Sequence, residues 1–183
     1  MKKFTFSVLL IISIAFIIES CGEKKAEQPK MTPIQYNDYI INAQSSIIQK
    51  FIELTKTFEK ADAVEMESKL LELKTRIDSS ITEITNLDKF EGNGEFKQAA
   101  MNLLTFYKSA VATDFKEMVD ILKRKDKITP KDIERMGQLN THIGTKEKML
   151  DAEFAKAQDA FALKYNISIR PNRYQKEIDS IGK

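Results

Sequence analysis

The chain has no tryptophan, one cysteine and one histidine in 183 residues, and each scarcity removes a class of chemistry. A single Cys21 leaves no partner for an intramolecular disulfide, so stability has to come from packing. A single His142 cannot supply the several imidazole, thiolate or carboxylate ligands that a zinc or di-iron site in a helical bundle draws from facing helices, and no Glu-x-x-His step is present. A serine hydrolase would need that same histidine, an oxyanion hole and a strand-rich scaffold, and the chain contains no Gly-x-Ser-x-Gly elbow. His142 therefore reads as a solvated or structural residue. No catalytic residue, cofactor or metal is expected.

Charge of one sign is also missing. The 29 basic and 27 acidic side chains nearly cancel, so no net field draws nucleic acid to the protein. Glycine and proline are sparse, at six and four, and the long stretches between them suit helices better than many short strands. Hydrophobic residues make up 42% and charged residues 31%, the balance of a folded body of one ordinary domain.

The apolar residues are distributed very unevenly. Lys2 and Lys3 precede a run from Phe4 to Ile18 diluted only by Thr5, Ser7 and Ser13. At about 15 residues that run is shorter than the ~20 a membrane-spanning helix needs, and it reads as the apolar region of a signal peptide. It stops at Ile18-Glu19-Ser20-Cys21-Gly22, which resembles the lipobox of bacterial lipoproteins. That resemblance implies cleavage before Cys21, acylation of its thiol and amine, and stable anchoring in a membrane through more than one chain. Glu19 and Ile18 depart from the commonest form of the box. The sorting behaviour of many lipoproteins, with Gly22 rather than an acid after the cysteine, implies the outer membrane or cell surface. Residues 1–20 are thus expected to be signal peptide and 21–31 a polar tether.

Beyond the tether the period changes to that of helices. Thr32-Pro33-Ile34-Gln35 places a capping hydroxyl, a proline at the first helical position and a reciprocal amide three residues on. Ile40, Ile47, Phe51, Leu54 and Phe58 then recur on one face to about Lys60. Asp62 to Glu65 opens a second helix carrying Met66, Leu70, Leu73, Ile77, Ile81 and Ile84, with Glu65–Lys69 and Glu72–Arg76 pairs expected on its outer face. The loop Glu91-Gly92-Asn93-Gly94 precedes a third stripe from Phe96 to Leu122. Lys123, Arg124, Lys125 and Lys127 crowd the end of that helix, where cations suit the dipole. Thr129-Pro130-Lys131-Asp132 starts a fourth helix bearing Ile133, Met136, Ile143, Leu150, Phe154, Ala157 and Phe161, running to about Tyr165. With short connections the economical arrangement is an all-α, antiparallel up-down-up-down four-helix bundle over residues 32–166. A three-helix coil with a loose fourth helix is the alternative. Residues 167–183 are a tail or short helix carrying Tyr174, Ile178 and Ile181.

The segments Tyr36-Asn37-Asp38-Tyr39-Ile40, Phe90-Glu91-Gly92-Asn93-Gly94-Glu95-Phe96 and Phe106-Tyr107-Lys108-Ser109 are similar to those of a family of small helical surface lipoproteins of Bacteroidetes and Leptospira. The resemblance implies an envelope address and a helical fold, and it carries over no catalytic residue.

Two features invite a binding role. Gly137 and Gly144 sit inside the fourth helix with Asn140 and Thr141 between them, and each glycine costs about 1 kcal/mol relative to alanine there. Close approach of a neighbouring helix, or room for Phe106 or Tyr107, accounts for this structurally; a small-residue groove accounts for it functionally. Tyr36 to Tyr39 cannot all face inward at 100° per residue, so either Tyr36 and Asn37 or Asp38 and Tyr39 reach the surface. A groove over Gly137, Asn140, Thr141, Gly144, Tyr36 and Tyr39 is the candidate site. Its occupant is a protein or a small ligand, the latter among Phe106, Tyr107 and Phe154, and the competing expectation is a purely structural envelope component.

Overall fold

The computed structural model describes residues 31–60 and 62–169, which belong to the compact unit Met31–Lys183. The signal peptide, Cys21, all of the tether but Met31, and the terminal segment from Arg170 onward lie outside the described residues. Within them the fold is all-α: α1 (Pro33–Lys60), α2 (Ala63–Asn86), α3 (Glu95–Ala110), α4 (Lys116–Leu122) and α5 (Pro130–Tyr165). A π turn, Val111–Phe115, joins α3 to α4 without leaving helical backbone, so residues 95–122 form one rod and the described residues make a bundle of four rods.

Each start has a local cause. Thr32 Oγ1 accepts from the Gln35 amide at 3.2 Å while Gln35 Oε1 accepts from the Thr32 amide at 2.8 Å, which satisfies two otherwise orphaned donors. Asp62 Oδ1 takes the amides of Val64 and Glu65 at 2.9 and 3.1 Å. At α5 the Thr129 hydroxyl and the Asp132 carboxylate accept from each other's amides, with Pro130 at the first helical position. Between α2 and α3 the chain reverses through Glu91 and Gly92 with φ of 48° and 80°, and Lys97 Nζ donates to the free carbonyls of Thr85 and Leu87 at the end of α2. α5 stops at Asn166, left-handed with φ 51°. There the Ile167 amide reaches the Ala162 carbonyl and the Asn166 amide the Leu163 carbonyl, closing the helix end.

Partners across the seams fix the directions. Lys50 meets Glu72 and Ser80 reaches the Ala43 carbonyl, so α1 and α2 are antiparallel. Asp78 with Lys108 and Thr85 with Met101 do the same for α2 and α3. Tyr107 with Glu147 and Glu117 with Arg135 align the third rod against α5. Tyr36 stacks on Phe161, and Gln158 donates to Asn37, where α5 returns to the start of α1.

The large core holds Ile40, Ile47 and Leu54 of α1, Leu73, Ile77 and Ile84 of α2, Leu103, Leu104 and Tyr107 of α3, and Leu150, Phe154 and Phe161 of α5. These are the stripes the sequence periodicity predicts. Three expectations are corrected. Ile133 is 64% exposed, because α5 has already passed beyond the core at that height. Arg76 pairs with Glu83, while Glu72 is taken by Lys50 and Lys69 from two helices. The third rod is not a uniform α-helix. Its backbone widens into a π turn at Val111–Phe115, and Ala110 before that turn and Met118 and Val119 after it are all buried.

Candidate functional site

Two polar constellations lie on the seam between the third rod and α5. The first is built by the π turn. Asp114 lies in that widened turn with its side chain 13% exposed, and its Oδ2 meets His142 Nδ1 at 3.2 Å. The imidazole itself is 67% exposed. Further along the seam toward the start of α5, Glu117 forks onto Arg135, both bonds 2.8 Å, and Arg124 holds Asp132 at 2.8 Å. Glu117 is held below its usual range chiefly by the Arg135 guanidinium, and Asp132 chiefly by the Thr129 amide and hydroxyl.

Around His142 the outer face of α5 forms a shallow open trough lined by Glu134, Gly137, Gln138, Thr141, Lys146 and Met149 among others. Every lining residue comes from α5. Gly137 and Thr141 thus lie with His142, with Asn140 and Gly144 exposed on the same stretch of helix. A Cβ added at Gly137 or Gly144 would meet nothing within 4 Å. The expected close approach of another helix, or an aromatic ring filling the space, is therefore wrong for both glycines; they face solvent. Tyr36 is only 2% exposed and packs on Phe90 and Phe161. Phe161 stands 24 residues along α5 from Gly137, about 36 Å at 1.5 Å per residue, so the structure does not join Tyr36 to the glycines in one groove. Tyr39 packs partly buried against the large core and belongs to the Tyr36 end. Of the two surface alternatives, Tyr36 and Asn37 are the inward pair, while Asp38 is exposed and Tyr39 half-buried.

The second constellation is half-buried. Tyr107 of α3 donates to Glu147 Oε1 at 3.1 Å, and Asp151 follows one turn later on α5. Burial pushes the Tyr107 hydroxyl well above its ordinary range, with the charges of Glu147 and Asp151 adding to it. Burial also raises Glu147, against the pull of the Tyr107 hydrogen bond, and lifts Asp151 to about 6 with help from the Glu147 charge. The sequence signal for this pair was present and unread. Glu147 and Asp151 fall at the three- and four-residue steps of the Ile143, Leu150, Phe154 stripe, where an apolar side chain is the norm.

Among the described residues, the gap found beside Phe154 is no ligand chamber. The gap bounded by Ile40, Gln44, Ile84, Leu103, Leu104 and Phe154 is too small for a water molecule. Tyr107 and Phe154 are packed residues and Phe106 lies between the two core clusters, which removes the expected aromatic ligand pocket. Among the described residues no three His, Cys, Asp or Glu side chains are placed to hold a metal ion, and no helix is long and apolar enough to cross a membrane. Compared with family models, with curated proteins and with solved structures, the chain matches none of them.

Proposed function

We propose that this chain is an exported lipoprotein, held in the cell envelope by lipid on Cys21, whose helical bundle is a non-enzymatic binding module. The observation that carries the reading is the order of Lys2-Lys3, the Phe4 to Ile18 run and Ser20-Cys21-Gly22, with the only cysteine placed where the apolar run ends. The resemblance to small helical surface lipoproteins supports the same address, at the outer membrane or cell surface. The binding face is the outer side of α5 over residues 134–149, with a protein partner. It is supported by the trough around His142 and by exposed Met149, in a stretch where two solvent-facing glycines weaken the helix.

Mass spectrometry of the membrane-extracted protein tests the anchor: a mature chain beginning at an acylated Cys21 is expected, and Cys21→Ser is expected to abolish both processing and membrane partition. Normal cleavage and envelope retention of that variant would overturn the reading. Photo-crosslinking from Thr141 in intact cells tests the face. A stoichiometric partner is expected there and not from Glu153. Equal or absent capture at both positions favours a structural component of the envelope instead.

A further inference from the structure

Glu147 and Asp151 have no role in that reading. They lie one turn apart on α5, partly shielded from water, where the large core (Leu150, Phe154) gives way to a thin seam made by Leu139 and Ile143 against Met118, Phe106 and Phe115. The facing charges leave them without a cation. On α3 the titratable group that faces them is Tyr107, while Lys108 beside it is drawn to Asp78 of α2. On α1, Lys50 is drawn to Glu53 and Glu72, and Gln44, which lies near Phe154, is neutral. In the π turn Asp114 is occupied by His142. On α5 itself Lys146 and Lys148 are exposed. One phenolic hydrogen bond is thus set against two like charges at adjacent turns, an arrangement that repels when both are ionised and resists desolvation.

We propose that Glu147, Asp151 and Tyr107 form a proton-operated latch, which clamps the N-terminal half of α5 onto the third rod when a carboxyl is protonated and loosens it when both carboxyls are ionised. Loosening uncovers Leu139, Ile143, Phe106 and Phe115, an apolar strip that the closed seam hides. The direction follows from the burial. A carboxyl raised to about 6 in the folded chain, against an ordinary 3.8, keeps a proton that the opened seam releases. The latch is therefore strongest at the acid end, and it weakens as pH rises through about 6. The surface carboxylates Glu53, Glu72, Glu117 and Asp132 act oppositely and at lower pH, because their values are depressed. Their contribution is lost only as pH falls below the ordinary carboxylate range. His142 meets Asp114 on the same seam, so His142→Asn serves as the background that isolates the latch.

The test is hydrogen–deuterium exchange on the full chain in detergent at about pH 5 and about pH 7, corrected for the intrinsic pH dependence of exchange. Protection of residues 130–151, taken relative to 154–165, is expected to fall about tenfold at the higher pH, the factor that a shift from 3.8 to about 6 gives over that interval. In Glu147→Gln/Asp151→Asn the fall should vanish, with protection high at both pH values, and His142→Asn should retain the fall. A double variant that keeps the tenfold response overturns the latch, as does a wild-type chain without one. Should the double variant unfold, Asp151→Asn alone decides: the latch requires a reduced response, and an unchanged one refutes it. None of these readouts depends on the lipid anchor.

Discussion

The two halves of α5 belong to one unbroken helix and live in different surroundings. Residues 150–165 insert Leu150, Phe154 and Phe161 into the large core, and Phe161 touches Tyr36, Phe90, Phe96 and Tyr165 with ring centroids 4.7 to 5.5 Å apart. Residues 130–149 bury only Leu139 and Ile143, on a small separate cluster with Met118. Their remaining anchorage is polar: Arg135 to Glu117, Asp132 to Arg124, His142 to Asp114 and Glu147 to Tyr107, with the Thr129 cap at the start. Helix propensity and capping are enough to keep a rod straight, whereas holding it against a neighbour takes buried area. One half supplies that area and the other mostly does not, so the N-terminal half is the part of the fold available for opening and recognition.

The contrast breaks most visibly in the core. Phe161→Ala removes a ring from the aromatic cluster and is expected to cost about 3 to 5 kcal/mol of global stability, read from denaturant unfolding. Leu139→Ala is expected to cost about 2 to 3 kcal/mol, near the low end for buried leucines, since few neighbours surround it. Its signature should be regional: exchange accelerates over residues 130–149 before residues 150–165 respond. If both variants loosen the whole of α5 to the same degree, the helix is one cooperative unit and the comparison fails.

Much of this division could be read in advance and some could not. Stripe positions such as Ile40, Leu73, Leu103 and Phe154 were legible because a period of 3.6 and the need to bury apolar area leave little choice. The caps at Thr32, Asp62 and Thr129 were legible for the same local reason. The π turn was not, because Val111 and Met118, seven residues apart, fit a regular helix and the apolar spacing carries no sign of a widened turn. Ile133 misled because periodicity gives the face of a helix and not how far its neighbours extend. The pairing of Tyr36 with Gly137 failed on distance along α5, which spacing in sequence could have warned against. Asp114 with His142 is a long-range contact between rods that no local pattern announces.

The Thr129 cap sharpens the comparison at a smaller scale. Thr129→Ala removes the hydroxyl that receives the Asp132 amide and the partner of its carboxylate, at a cost of about 1 kcal/mol. Because little core opposes fraying at this end, the loss should appear as faster exchange over the first two turns of α5, with a small change in global stability. Equal changes in both would show that the first turns unfold only with the whole protein.

The smallest effect runs in the stabilising direction. Gly144 is exposed, its backbone is helical, and a methyl group there meets nothing within 4 Å. Gly144→Ala should therefore add up to about 1 kcal/mol to the helix through backbone entropy alone. In the N-terminal half that gain should fall on local opening, measured as slower exchange over residues 137–149. The same substitution also tests the binding face, since a partner that approaches the α5 backbone closely at Gly144 would be repelled by the methyl group. Stabilisation together with lost crosslinking from Thr141 marks the glycine as a contact point, whereas stabilisation with crosslinking retained moves the contact to the His142 side of the trough.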